Sequence, residues 1–127
     1  MADVVLDASA LLCLLGAEPG ADEVAQALPG AAISTVNLAE VVAKLADASM
    51  PEADIHAALE SLGLEVVPFD ASLAYRSGLL RRSTKSAGLS LGDRACLSLA
   101  AARDLPAVTT DRSWRGIRIG IEIRVVR

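Results

Sequence analysis

Aromatic side chains are nearly missing from this 127-residue chain, which has one Phe, one Tyr and one Trp. With three rings, base stacking cannot carry much of any nucleic-acid recognition. Histidine occurs once, as His56, and cysteine twice, as Cys13 and Cys96. That supply is too small for a zinc site. Both cysteines lie in apolar, helix-forming sequence and read as buried thiols of a reducing cytoplasm. Long apolar runs are lacking too. The longest, Ala8–Ala17, is broken by Ser9 and falls far short of the ~20 residues that cross a bilayer. No basic segment precedes it as in a signal peptide. The expectation is a cytoplasmic protein without a membrane partner. Neither G-x-G-x-x-G nor G-x-x-x-x-G-K-[ST] occurs, so no nucleotide-binding glycine loop is offered.

What is present is apolar sequence, 53% of the chain, with 22% charged residues. This excludes intrinsic disorder, and the length fits one domain over residues 1–127. The net charge of −4 is divided unevenly along the chain. Residues 1–65 hold eleven acids against Lys44 alone, whereas residues 66–127 hold five acids and eleven bases. A basic half points to a polyanionic partner, and a solvated surface of mixed sign is the competing reading.

Short apolar segments alternate with helix-forming ones. Strands are expected at Asp3–Asp7, Ala31–Ser34, Leu64–Pro68, Ala107–Thr109 and Glu122–Val126. Helices are expected at Ala8–Gly16, between Pro19 and Gly30, at Thr35–Ser49, from Pro51 to near Gly63, from an Asp70 cap to about Thr84, and at Gly92–Asp104. Lys85–Leu91 reads as a loop. Strands of four or five residues without polar alternation suit a parallel sheet covered on both faces. The fold class is therefore α/β, a three-layer α/β/α sandwich around a central, mainly parallel, short-stranded sheet.

Four acids stand out from the solvated majority. Asp7 ends the first strand, and Asp111 ends the Val108-Thr109-Thr110 strand. Glu40 is a lone carboxylate in the apolar run Leu38–Ala43, and Asp93 opens the helix after Leu89-Ser90-Leu91-Gly92. Each has an ordinary explanation. Asp7 and Asp111 serve as N-caps, Glu40 pairs with Lys44 four residues on, and Ser90 with Asp93 makes a capping box. In a parallel sheet, however, all four positions fall on the edge where the strands end. Like charges ~4 Å apart repel by about 4 kcal/mol at an effective dielectric of 20. A hard divalent cation removes that repulsion, so the set points to Mg2+ or Mn2+ acting on a phosphate ester.

Four blocks carry a family resemblance. They are Val4-Val5-Leu6-Asp7-Ala8-Ser9, Thr35-Val36-Asn37-Leu38-Ala39-Glu40, Leu89-Ser90-Leu91-Gly92-Asp93 and Thr109-Thr110-Asp111-Arg112-Ser113-Trp114. In this order and spacing the chain resembles a PIN-domain ribonuclease, specifically a VapC-type toxin of a toxin–antitoxin pair. The resemblance covers essentially the whole chain. It implies a PIN-like sandwich and metal-dependent cleavage of RNA to 5′-phosphate and 3′-hydroxyl ends. Asp7, Glu40, Asp93 and Asp111 would hold one or two Mg2+ or Mn2+ ions. Some relatives carry further acids beside the third and fourth blocks, where this chain has Arg94 and Ser113.

Ser9, Asn37, Thr109 and Thr110 are candidates to orient a carboxylate or a water, or simply to cap local structure. Arg94 and Arg112 flank two acids and read either as RNA-phosphate contacts or as salt-bridge partners of those acids. Arg81, Arg82 and Lys85, with Arg76, read either as backbone contacts or as a solvated helix face. The implied partners are an RNA substrate, a cognate antitoxin as a separate chain and a second copy in a homodimer. The apolar helices Ala8–Gly16 and Thr35–Ser49 offer a face for the antitoxin. Other readings are a PIN-fold domain that binds a partner without catalysis, and a housekeeping nuclease without an antitoxin.

Overall fold

The computed structural model describes residues 2–127. Strand β1 (Val4–Leu6) runs into α1 (Ala8–Leu15) and α2 (Ala21–Ala27). Then come β2 (Ala31–Ser34), α3 (Thr35–Asp47), α4 (Glu52–Glu60) and β3 (Glu65–Val67). After α5 (Ala71–Thr84), a 3-10 turn (Lys85–Ala87) leads to α6 (Leu91–Arg103). The chain closes with β4 (Ala107–Thr109), a 3-10 turn (Arg112–Gly116) and β5 (Ile123–Val125).

Local polar side chains set the helix starts. Asp7, Ser34, Asp70 and Ser90 each occupy an N-cap with extended backbone and accept an amide N–H from the first turn. Ser90 and Asp93 complete a reciprocal capping box. Pro19 does not open a helix. Gly20 intervenes as the N-cap at φ 101, where a Cβ would be strained and would run into the Val126 carbonyl of the C-terminal segment.

The five strands form one parallel sheet in the order β3-β2-β1-β4-β5. The chain moves outward from β1 to β2 and β3, then returns across β1 to β4. That reversal puts a topological switch point at the ends of β1 and β4, where open α/β sheets form their ligand crevice.

Alternating side chains divide the core between the two faces. Val4 and Leu6 of β1 pack with Val108, Ala10 of α1 and Val24 of α2. On the other face, Val5 and Ala107 pack with Cys96, Leu97 and Leu99 of α6, Leu73 of α5 and Trp114. Leu11, Ile33 and Val41 tie α1, β2 and α3 together, and α3 also touches α6. This is the expected sandwich, with α3 and α6 meeting over the strand ends.

Both cysteines are free and buried, as the sequence implied. Trp114 is fully buried, whereas Tyr75 points outward from α5 and is 76% exposed. The expected loop at Lys85–Leu91 holds the 3-10 turn and gives up Leu91 to α6. Among the described residues no helix is long and apolar enough to cross a membrane.

Candidate active site

Asp7 leaves β1 at the switch point and is buried, 4% exposed. Its Oδ1 accepts from the Ser9 hydroxyl at 2.7 Å and the Ala10 amide at 2.8 Å, and its Oδ2 accepts from the Thr109 hydroxyl at 2.6 Å. Each hydroxyl spends its one hydrogen on Asp7, so the 3.3 Å contact between Ser9 and Thr109 carries none. The hydroxyl oxygens accept in turn from β4's exit: Thr110 N–H donates to Ser9 Oγ at 3.0 Å, and Asp111 N–H to Thr109 Oγ1 at 3.1 Å. Two amide-to-hydroxyl-to-carboxylate chains therefore run from the end of β4 to Asp7. Thr110 enters through its backbone alone.

Burial dominates the electrostatics of Asp7. Loss of water pushes its carboxyl from the ordinary 3.8 up to about 6, against the three hydrogen bonds, and the negative charge of Asp93 adds to the rise. Burial, then the charges of Asp7, Asp93 and Glu40, hold the Cys96 thiol well above its ordinary range. The fields of three of the four expected acids thus reach the buried Cys96 sulfur of α6, and that thiol stays protonated.

Glu40 lies on the second turn of α3, over α6. Asn37, one turn earlier and buried, bridges the two helices. Its Nδ2 donates to Glu40 Oε1 at 2.9 Å and to the Gly92 carbonyl at 3.0 Å, while its Oδ1 is buried without a partner. The Glu40 carboxylate rests where a side chain on Gly92 would stand. Glu40 forms no ion pair with Lys44; its partner is Asn37. Gly92 was not singled out from the sequence, although a glycine in a helix's first turn is a cost that asks for a reason.

Asp93 uses Oδ2 in the capping box, accepting from Ser90 N–H at 3.0 Å. Asp111 is exposed and uses Oδ1 to accept from the Ser113 amide and hydroxyl, at 2.9 and 2.7 Å. The local capping roles of Asp7, Asp93 and Asp111 are all present, and the caps of Asp93 and Asp111 each occupy only one carboxylate oxygen. Glu40 Oε2, Asp93 Oδ1 and Asp111 Oδ2 accept nothing among the described residues. The ion pairs there involve His56, Arg103, Arg124 and Arg127, none of them with these acids.

Unpaired carboxylate oxygens without a counter-cation are the donor chemistry of a hard divalent ion. The spacing is loose: among the described residues no three acids, histidines or cysteines stand close enough to ligate one ion together. The donor chemistry suits a hard divalent ion held largely through water.

The basic candidates scatter. Arg94 turns from Asp93 to α5, where its Nη1 donates to the Ser77 carbonyl at 3.1 Å. Arg112 donates from Nε to the Arg127 carbonyl at 3.1 Å. Neither forms the salt bridge with an acid that the sequence left open. Arg81, Arg82 and Lys85 are exposed at the end of α5 and the turn after it. An apolar groove of about 840 Å3 opens between α3, α4 and β3, lined by Leu38, Val42, Met50, Ile55, Leu59 and Val66, with Glu52, His56 and Glu60 also lining it. Helix α3 contributes to it, whereas α1 does not and packs against α2 and α3.

Solved structures share this fold. DNA-bound VapBC from Salmonella typhimurium is similar over 100% of both chains, with TM-score 0.76 and 23% identity. A toxin–antitoxin complex from Klebsiella pneumoniae covers 94% of this chain and 99% of its own, with TM-score 0.72 and 22% identity. VapBC-1 from nontypeable Haemophilus influenzae covers 96% of each, with TM-score 0.73 and 19% identity. Comparison with curated proteins finds no match. Comparison with family models matches residues 4–119 to the PIN domain, a family whose members are generally nucleases and generally use divalent metal ions. The match takes in all four acids and the network around Asp7, and the chain belongs to the PIN domain family.

Proposed function

We propose that this chain is a Mg2+- or Mn2+-dependent endoribonuclease and the toxin of a toxin–antitoxin pair, a single PIN domain over residues 1–127 acting in the cytoplasm. The observation that carries the reading is Asp7. It is a carboxylate buried at the switch point, within the field of Asp93, and it forms no ion pair among the described residues. Such a group weakens the fold unless an ion compensates it.

Asp7, Glu40, Asp93 and Asp111 would hold the ion, directly or through water. When bound, it activates water and offsets the negative charge that builds on the phosphate. The protein's own part is orientation. Ser9 and Thr109 fix the plane of the Asp7 carboxylate. The Asp111 amide on Thr109 ties the fourth acid to the same hydroxyl. Asn37 keeps Glu40 against α6.

Two surfaces support the partners. The groove beside α3 is apolar and lies in the acidic half of the chain. It suits an antitoxin segment with an apolar stripe and basic flanks, and the solved relatives are toxin–antitoxin complexes. Exposed Tyr75 and Leu79 on α5 suit a second copy.

The test is cleavage of a labelled RNA by purified chain with Mg2+ or Mn2+, with EDTA, and with Asp93→Asn. Cleavage to 5′-phosphate ends, abolished by EDTA and cut more than ~100-fold by the substitution, supports the reading. RNA cut equally well by Asp93→Asn contradicts it.

A further inference from the structure

Three cations of the basic half meet with no acid between them. Arg81 from the last turn of α5, Lys85 from the turn that follows and Arg94 from the start of α6 line a concavity of about 210 Å3, closed by Thr84, Gly88 and Leu89. None of the three forms an ion pair among the described residues. Arg94 is held from below by the Ser77 carbonyl, and its Nε is buried without an acceptor. Mutual repulsion among three cations without an acid asks for an oxyanion. The volume is below the ~300 Å3 at which pockets begin to enclose whole organic ligands. One phosphate with its water fits.

The pocket's position identifies the phosphate. Arg94 follows Asp93 directly, and the helical twist sends Asp93 toward the strand edge and Arg94 toward α5. The first turn of α6 therefore carries a carboxylate of the candidate active site on one side and the cationic pocket on the other. A polyanion laid across that turn meets both. Arg112, bonded to the Arg127 carbonyl, is not part of the pocket, and neither is Arg82.

We propose that Arg81, Lys85 and Arg94 hold a backbone phosphate of the RNA strand flanking the cleaved bond, a role that rests on the nuclease reading above. Arg94 positions the pocket floor, while Arg81 and Lys85 are its exposed clamps.

The experiment measures binding of a short fluorescent RNA in EDTA across a salt series. It compares the wild type, Arg81→Gln/Lys85→Gln, and a control with equal charge loss elsewhere, Arg115→Gln/Arg124→Gln. Each lost phosphate contact should flatten the salt slope by ~0.7 for a single strand. The pocket variant should thus lose ~1.4 in slope and bind at least ~10-fold more weakly. With metal restored, KM should rise while kcat holds. The control should keep the wild-type slope. A pocket variant with wild-type affinity and slope, or a control that loses as much, overturns the proposal and leaves the nuclease reading standing. Failure of the folded wild type to bind RNA overturns both.

Discussion

The Glu40 carboxylate occupies the space that a side chain on Gly92 would fill, with its Cδ 2.6 Å from where that Cβ would stand. Helices α3 and α6 approach each other at this point, and Asn37 fastens them by bonding both Glu40 and the Gly92 carbonyl. The absence of a side chain at residue 92 is therefore part of how Glu40 reaches the strand edge. In Gly92→Ala the exposed Glu40 side chain should swing away and the helix should gain about 0.5–1 kcal/mol in propensity. The expected outcome is a stability equal to or above wild type with metal-dependent activity down ~10–100-fold. Thermal melts and cleavage rates on the same preparation check it. Unchanged activity would remove Gly92 from the account.

Asp7 should make the metal-free fold less stable as pH rises. Its folded-state pKa of about 6 lies above the ordinary 3.8. The folded state therefore holds the proton more tightly, and this contribution is intact below about pH 4. It is lost between about pH 4 and 6, and about 3 kcal/mol is gone at neutral pH. Asp7→Asn keeps a capping side chain without the charge. The variant should melt several degrees above wild type at pH 7.5 in EDTA, with the gap closing toward pH 4. A variant that melts below wild type at pH 7.5 would contradict the burial argument.

Thr109→Val should break both ends of one chain at once. It removes a donor to Asp7 and the acceptor of the Asp111 amide. An unsatisfied buried group costs about 1–3 kcal/mol, and misplaced carboxylates should cost ~10–100-fold in activity. Thr109→Ser retains the hydroxyl and should recover most of both. Denaturant melts and cleavage rates of the pair test this; equal defects in Val and Ser variants would assign the effect to packing instead.

Much of this architecture is legible in the sequence because short-range chemistry governs it. Asp7, Asp70 and Ser90 announce their helices as caps, and β-branched runs announce the buried strands. The parallel sheet itself follows from short apolar strands alternating with helices. What escapes is set by contacts between distant residues. Nothing near Asn37 reveals that it bonds Gly92, 55 residues away. Nothing near Arg94 reveals that it turns to Ser77 rather than to an acid. Pro19 resembles a helix start until Val126 is seen to press on Gly20.

Divalent ions should reverse the cost at Asp7. Binding to the folded state alone adds about 2.7 kcal/mol at one hundred times Kd. Mg2+ or Mn2+ should therefore raise the wild-type melting temperature by several degrees at pH 7.5, with the effect reduced in Asp7→Asn and Asp93→Asn. An equal rise in all three would place the ion elsewhere.

The central claim is that a divalent ion sits among these four acids, and anomalous diffraction from crystals soaked in Mn2+ tests it most directly. The account predicts one or two peaks within direct or water-mediated reach of Asp7, Glu40, Asp93 and Asp111. A fully soaked crystal with Mn2+ bound only away from this edge would contradict it.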